Sequence, residues 1–214
     1  MSGPAGSLPG MATVISHMSM SLDGFVAGPD QSEDQPLGRG GLALHRWHFD
    51  PVDPVDLPWQ EQLLERGDAY VMGRNMFGPV RGPWQGDWRG WWGDEPPYHA
   101  PVFVLTHHAR DPIEMAGGTT FYFVTDGFDS ALRQAGEAVG DGVVDIAGGA
   151  STVRQALAAG ALDELVVDIA PVVLGRGESM FTDLTDLGLT QIEVAESPHA
   201  THIRYRVNRP SAPA

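Results

Sequence analysis

The stretch VVDIAGGAST, residues 143–152, decides the fold. It begins as a strand whose residues are apolar on both faces except Asp145, as expected of a strand covered on both sides inside a mostly parallel sheet. It then meets Gly148 and Gly149, followed by Ala150, Ser151 and Thr152. Adjacent glycines pack poorly, but they let a chain turn sharply and let a ligand approach its backbone. Ser151 or Thr152 then caps a helix whose N-terminus offers unpaired N–H groups and the positive end of its dipole, which suits a phosphate. A tight strand-to-helix turn with no ligand accounts for the same letters, so the choice rests on what surrounds them.

Working outward, seven further alternating or apolar runs read as strands: residues 12–20, 68–73, 101–106, 121–125, 163–173, 189–196 and 201–207. The last two are joined by SPHA, a hairpin signal. Helical patterns lie between the earlier ones. Residues 58–67 put Leu63 and Leu64 on one face. Residues 129–140 open on Asp129 as a cap and close on Gly140, and residues 151–160 close on Gly160. Strands alternating with helices predict an α/β fold: a central eight-stranded, mostly parallel sheet with helices on both faces and a C-terminal antiparallel hairpin. The length predicts one domain, residues 12–207, between flexible tails at 1–11 and 208–214.

Two segments fit no regular element. Residues 28–58 are rich in Gly, Pro and Asp, and residues 78–100 hold four of the six tryptophans. Tryptophan is costly to expose, so the second segment reads as an ordered flap, or as a loop packed on the body or on a second subunit.

Composition removes several chemistries. The net charge of -15 argues against nucleic acid as a partner. No run of 18 apolar residues predicts a membrane span. The first eleven residues lack the basic start and apolar centre of a secretory signal, and the chain has no cysteine, so a cytoplasmic location is expected. All 13 basic residues are arginine. Without lysine there is no Schiff base, no pyridoxal-phosphate anchor and no Walker A lysine. His45 and His48 in HRWHFD have no evident third ligand, and no metal site is predicted.

In an open α/β sheet, ligands bind beyond the carboxyl ends of the strands. Gly73, Arg74 and Asn75 follow the strand at 68–73, while Thr106, His107, His108 and Arg110 follow the one at 101–106. The double glycine and its hydroxyls follow the strand at 142–147. Each group alone is a weak signal. Together they put arginine, imidazole, hydroxyl and bare backbone at one edge of one sheet, where a phosphate-bearing ligand would be held.

At these residues the sequence resembles a known family. SLDGFVAG at 21–28, VMGRNMF at 71–77, PVFVLT at 101–106, IAGGAST at 146–152 and LDELVVDIAPVVLGRGESMF at 162–181 are similar to dihydrofolate-reductase-like proteins. They are closest to the reductase domain of riboflavin biosynthesis, the C-terminal half of bifunctional deaminase-reductases. No zinc-deaminase signature is present, so the chain corresponds to the reductase half.

The resemblance implies an NADPH-binding reductase and a homodimer. It implies that Gly73, Arg74 and Asn75 hold cofactor phosphate, with Thr106 and His107 by the adenosine phosphate. Gly148, Gly149, Ala150, Ser151 and Thr152 would lie by the nicotinamide and pyrophosphate, and Val26 and Ala27 would close over the nicotinamide.

The substrate side is less legible. Asp56 or Glu61 could stand where related reductases carry a carboxylate, although a helix cap and a first-turn dipole partner explain both. Asp23 reads as a loop-fixing hydrogen bonder or a proton donor, and Glu178 as a surface or substrate-facing group. Trp47 and Phe77 could line an aromatic pocket or pack in the core. The resulting expectation is hydride transfer from NADPH to a small heterocyclic or carbonyl-like substrate, nearest to 5-amino-6-(5-phosphoribosylamino)uracil reductase. Reduction of dihydrofolate or another pterin is one alternative, and a non-catalytic nucleotide-binding module is another.

Overall fold

A computed structural model of the protein describes residues 12–49, 52–79 and 81–208. In chain order its strands are β1 (Thr13–Ser21), β2 (Phe25–Ala27), β3 (Ala69–Gly73), β4 (Pro101–Leu105), β5 (Ile113–Glu114), β6 (Thr120–Val124), β7 (Val143–Gly148), β8 (Glu164–Ala170), β9 (Glu178–Ser179), β10 (Gly188–Glu196) and β11 (Thr201–Asn208). Its α-helices are α1 (Leu57–Glu65), α2 (Arg74–Phe77), α3 (Phe128–Val139) and α4 (Ala150–Ala158), and a 3-10 helix spans Gly41–His48. The expected tail 1–11 lies outside the described residues, as do residues 209–214, while Asn208 ends β11. The side chain of Leu64 also lies outside them.

Nine strands form one sheet in the order β10-β11-β8-β1-β7-β3-β4-β6-β5. The six from β8 to β6 are mutually parallel, and β11, β10 and β5 are antiparallel to their neighbours. All eight expected strands are present. The ninth, β5, has two residues, too few to leave an alternation. β2 and β9 pair separately from the main sheet. β7 lies between β1 and β3, inside the sheet as its apolar residues require.

Two helix starts differ from expectation. Gly127 and Gly149 hold the cap positions of α3 and α4, so Asp129, Ser151 and Thr152 fall within the first turns. Asp129 there complements the helix dipole instead of capping.

Period-2 alternation sends successive side chains to opposite faces of the sheet. One face, with Val14, Val71, Val144, Ile146 and Val167, makes a continuous core with Ala131 and Ala135 of α3 and Val153 and Ala156 of α4. The other face carries two separate apolar clusters. Tyr70, Met72, Phe77, Val102 and Phe121 form one, joined by partly buried Trp84, Trp88 and Trp92. Trp47, Trp59, Val166 and Ala200 form the second. The tryptophan-rich loop is thus packed on the body: Trp84 Nε1 donates to the His108 carbonyl and Trp88 Nε1 to that of Phe77. On the face of the two clusters, β1, β7 and β8 carry the buried polar residues His17, Ser19, Asp145 and Asp168.

Candidate functional site

β1 and β7 pair only from Thr13–Val143 to Ile15–Asp145, although β1 runs on to Ser21 and β7 to Gly148. The Ser16 hydroxyl donates to the Ile146 carbonyl at 2.8 Å, supplying a partner beyond the end of the ladder. Where the ladder ends, a cavity of about 770 Å³ begins, and it continues over the carboxyl ends of β3, β4, β6 and β7. That is the side on which open α/β sheets bind ligands, and the volume is of small-molecule or cofactor size.

Eleven of the twelve residues expected to touch a cofactor line this cavity: Val26, Ala27, Gly73, Arg74, Asn75, Thr106, His107, Gly149, Ala150, Ser151 and Thr152. Gly148 stands behind them at φ 116°, and the Gly148–Gly149 peptide is cis. Local packing explains the glycines. A Cβ on Gly73 would meet Thr152 Oγ1 at 2.8 Å, so glycine lets the β3–α2 turn approach α4. A Cβ on Gly149 would meet no atom within 4 Å, because that position faces the cavity.

Arg74 supplies the charge at this end. Its guanidinium carbon lies 3.1 Å from the centroid of the Trp84 ring, and Arg110 approaches the same ring at 5.0 Å. Nε and Nη2 of Arg74 are buried with no hydrogen-bond partner. Burial, with a smaller push from Arg110, lowers its pKa to about 10, so it stays cationic at neutral pH. The Thr106 hydroxyl accepts from the His108 N–H at 3.1 Å, which fixes the loop after β4. Glu178 also lines the cavity, on β9, which pairs with β2.

The other half of the cavity runs down the face between the two apolar clusters. It is lined by His17, Ser19, Tyr70, Tyr98 and Asp145, among others. Tyr70 and Asp145 are register neighbours on β3 and β7. Burial raises the Asp145 carboxyl to about 7, partly offset by Arg66, and its Oδ1 has no partner. Burial and the nearby Asp145 raise Tyr70 to about 12 and Tyr98 well above the ordinary phenol value.

Behind His17 runs a buried chain of alternating imidazoles and carboxylates. His17 Nε2 lies 2.8 Å from Asp168 Oδ2, and His202 Nδ1 lies 2.7 Å from Asp168 Oδ1. His202 Nε2 lies 2.8 Å from Asp56 Oδ1. Burial alone would raise Asp168, but His17 and His202 hold it at about 2. Burial alone would lower His202, but Asp168 and Asp56 raise it above its ordinary value.

Asp56, Asp23, Trp47 and Phe77 do not line the cavity, and for Asp23, Trp47 and Phe77 the structural one of the two readings holds. Asp56 makes no capping bond and does not line the cavity; it is fully buried against His202. Asp23 accepts from the Leu174 and Gly175 N–H groups at 3.1 and 2.7 Å, fixing a loop. Trp47 and Phe77 do not line the cavity: both are fully buried, Trp47 against Ser19 Oγ and Phe77 among Phe121, Phe123 and Trp84. Sequence reasoning passed over His17, Tyr70 and Tyr98, and noted Asp145 only as an exception to an apolar pattern. A polar residue inside a buried strand was the available signal for His17 and Asp145.

The sequence matches the RibD C-terminal domain family over residues 12–202. No curated protein matches it. Among solved structures, a Shewanella sp. PV-4 protein assigned to riboflavin biosynthesis is 24% identical with a TM-score of 0.60, covering 92% of this chain and 99% of its own. A pyrimidine reductase-like protein of Corynebacterium diphtheriae is 18% identical with a TM-score of 0.54, over 92% of each chain. The Thermotoga maritima diaminohydroxyphosphoribosylaminopyrimidine deaminase/5-amino-6-(5-phosphoribosylamino)uracil reductase is 16% identical with a TM-score of 0.56; the match covers 92% of this chain and 57% of that one.

Proposed function

Because the chain belongs to the RibD C-terminal domain family, we propose that it is an NADPH-dependent reductase of a small heterocyclic or carbonyl-like compound. Reduction of 5-amino-6-(5-phosphoribosylamino)uracil is the nearest named reaction. The observation that carries the reading is one continuous cavity. At one end it holds phosphate-suited groups, and at the other a polar cleft between two aromatic clusters.

The donor set fits a dinucleotide. Arg74 has buried nitrogens lacking partners, which is a cost unless a ligand meets them. Gly149 leaves open the space a side chain would fill, and Ser151 and Thr152 stand in the first turn of α4. The bound nicotinamide supplies a hydride at its C4. The protein's part is to bind and orient. Arg74, Thr106 and His107 take the adenosine-phosphate end, Gly149 to Thr152 take the pyrophosphate, and Val26 and Ala27 exclude water from the ring.

The reading is tested by titrating NADPH fluorescence against the protein. NADPH oxidation is then followed with the aminouracil ribophosphate, dihydrofolate and a small ortho-quinone as acceptors. Saturable NADPH binding with turnover of an acceptor is expected. Binding without turnover of any would make the protein a nucleotide-binding module, and turnover of dihydrofolate alone would make it a pterin reductase. No binding would overturn the reading.

A further inference from the structure

We propose that His17 is the proton donor of the reduction, and that Asp168, His202 and Asp56 hold its ring in place and balance its charge; this rests on the reductase reading above. A hydride added to the carbon of a C=N or C=O group leaves an electron pair on nitrogen or oxygen that must take a proton.

Of the titratable side chains lining the cleft half, Tyr70 and Tyr98 are made poor acids by their burial. His45 is biased to the neutral form by its burial. Asp145 and His17 remain there; Glu178 lines the cavity outside the cleft half, paired with Ala27 on the cofactor side. In register, Asp145 is level with Ile15, whereas His17 stands two residues, about 7 Å, farther toward the carboxyl ends. That puts His17 nearer the Gly148–Gly149 turn, where the cofactor half of the cavity meets the cleft.

The chain behind His17 has a definite charge logic. His202 faces a carboxylate oxygen with each ring nitrogen, at 2.7 and 2.8 Å. A neutral imidazole has only one N–H, so both contacts are satisfied when His202 is the imidazolium. That cation balances one of two buried carboxylates and leaves one uncompensated negative charge. Asp168 directs it at His17 Nε2, 2.8 Å away, which fixes Nε2 as the donor to Asp168. Nδ1 of His17 is then the nitrogen free to exchange a proton, and His17 lines the cavity.

The step balances. A bound dihydronicotinamide would supply the hydride, its C4–H bond breaking as a C–H bond forms on the substrate carbon. The Nδ1–H bond of the His17 imidazolium breaks, and its proton forms an N–H or O–H bond on the substrate. NADP⁺ and neutral His17 remain, and water reprotonates Nδ1.

His17 is faced by Asp168 from β8, and by Trp47 and His48 from the 3-10 helix, which also carries His45. Trp59 faces it from α1, and His202 of β11 shares the Asp168 carboxylate with it. Asp145 lies on β7 beside the same cleft.

The test compares wild type, His17→Gln, His17→Ala, His202→Gln and Asp145→Asn with the three acceptors named above, with NADPH affinity measured separately. His17→Gln should bind NADPH within about twofold of wild type and lose turnover about 100-fold or more. Free imidazole should restore part of the turnover of His17→Ala, which also carries the test if His17→Gln fails to fold. In His202→Gln the loss of the balancing cation should move the high-pH fall of kcat to higher pH. The proposal is overturned if His17→Gln keeps more than about a fifth of kcat, if imidazole does not restore His17→Ala, or if Asp145→Asn alone abolishes turnover. Wild type that binds NADPH but reduces no acceptor overturns it too. Wild type that binds no NADPH instead removes the reductase reading beneath it.

Discussion

Asp145 ties pH to stability at the scale of one carboxyl. Burial raises it from 3.8 to about 7, with Arg66 offsetting only part. Between those values the folded protein holds a proton that the unfolded chain has released. Stability therefore falls as pH rises, by about 1.4 kcal/mol per unit from this group. Asp145→Asn removes the dependence. Urea unfolding should find the variant more stable than wild type at pH 8, with the difference vanishing near pH 4; a variant less stable at pH 8 would contradict this ionisation. Arg74 carries a second prediction. NADPH differs from NADH by a phosphate, and a charged hydrogen bond of this kind is worth roughly 1.5–3 kcal/mol. Arg74→Ala should weaken NADPH binding about ten- to a hundredfold and NADH binding much less, by fluorescence titration. Equal losses would put Arg74 on the shared pyrophosphate. Arg74 was legible because it follows a strand directly. The chain of Asp56, His202, Asp168 and His17 was not, because its bonded neighbours lie up to 151 positions apart, and His17, Asp168 and His202 are brought together by strand pairing.

At the scale of elements, the Gly149 turn and the parting of β1 from β7 build the cavity. Gly149 has φ -74°, which a β-branched residue tolerates, and its Cβ would enter open space. Gly149→Val should therefore keep the circular dichroism of the wild type and lose NADPH binding. Retained binding would put the cofactor elsewhere. The Ser16–Ile146 bond holds the end of the β1–β7 ladder from the buried side. Ser16→Ala should cost about 1–3 kcal/mol in urea unfolding, because it leaves a buried carbonyl without its partner. Strand alternation was readable nearly to the residue: the strand expected at 101–106 spans Pro101–Leu105, and the one at 201–207 spans Thr201–Asn208. The strand expected to reach 173 stops at Ala170, where the apolar run continues but the pairing with β1 ends. β2, β5 and β9 have two or three residues and carry no period to detect. Helix caps were misplaced because a glycine turn, not a side-chain oxygen, starts α3 and α4.

For the molecule as a whole, a net charge of -15 repels an anionic cofactor. Arg74 and Arg110, both over Trp84, make the local exception. Homodimerisation remains a proposal at this scale. Exposed Ile192 and Val194 on the edge strand β10, and exposed Leu22 and Val173, are among the apolar residues available to it. Sedimentation at micromolar concentration should give twice the chain mass of 23.0 kDa, and a single-chain mass throughout would reject the dimer. The fold class and the sheet edge that gathers Arg74, Thr106 and Gly149 could be read from one dimension. The cleft could not, since it depends on which face each strand residue looks toward and on β7 returning between β1 and β3. The continuous core lies under α3 and α4, while the cleft lies on the opposite face between two separate clusters. The side chains that hold the sheet together are therefore largely not the ones that would meet a substrate. Selection can rewrite the cleft wall and leave the scaffold superposable, so one ancestral sheet can diversify in chemistry without first becoming unstable.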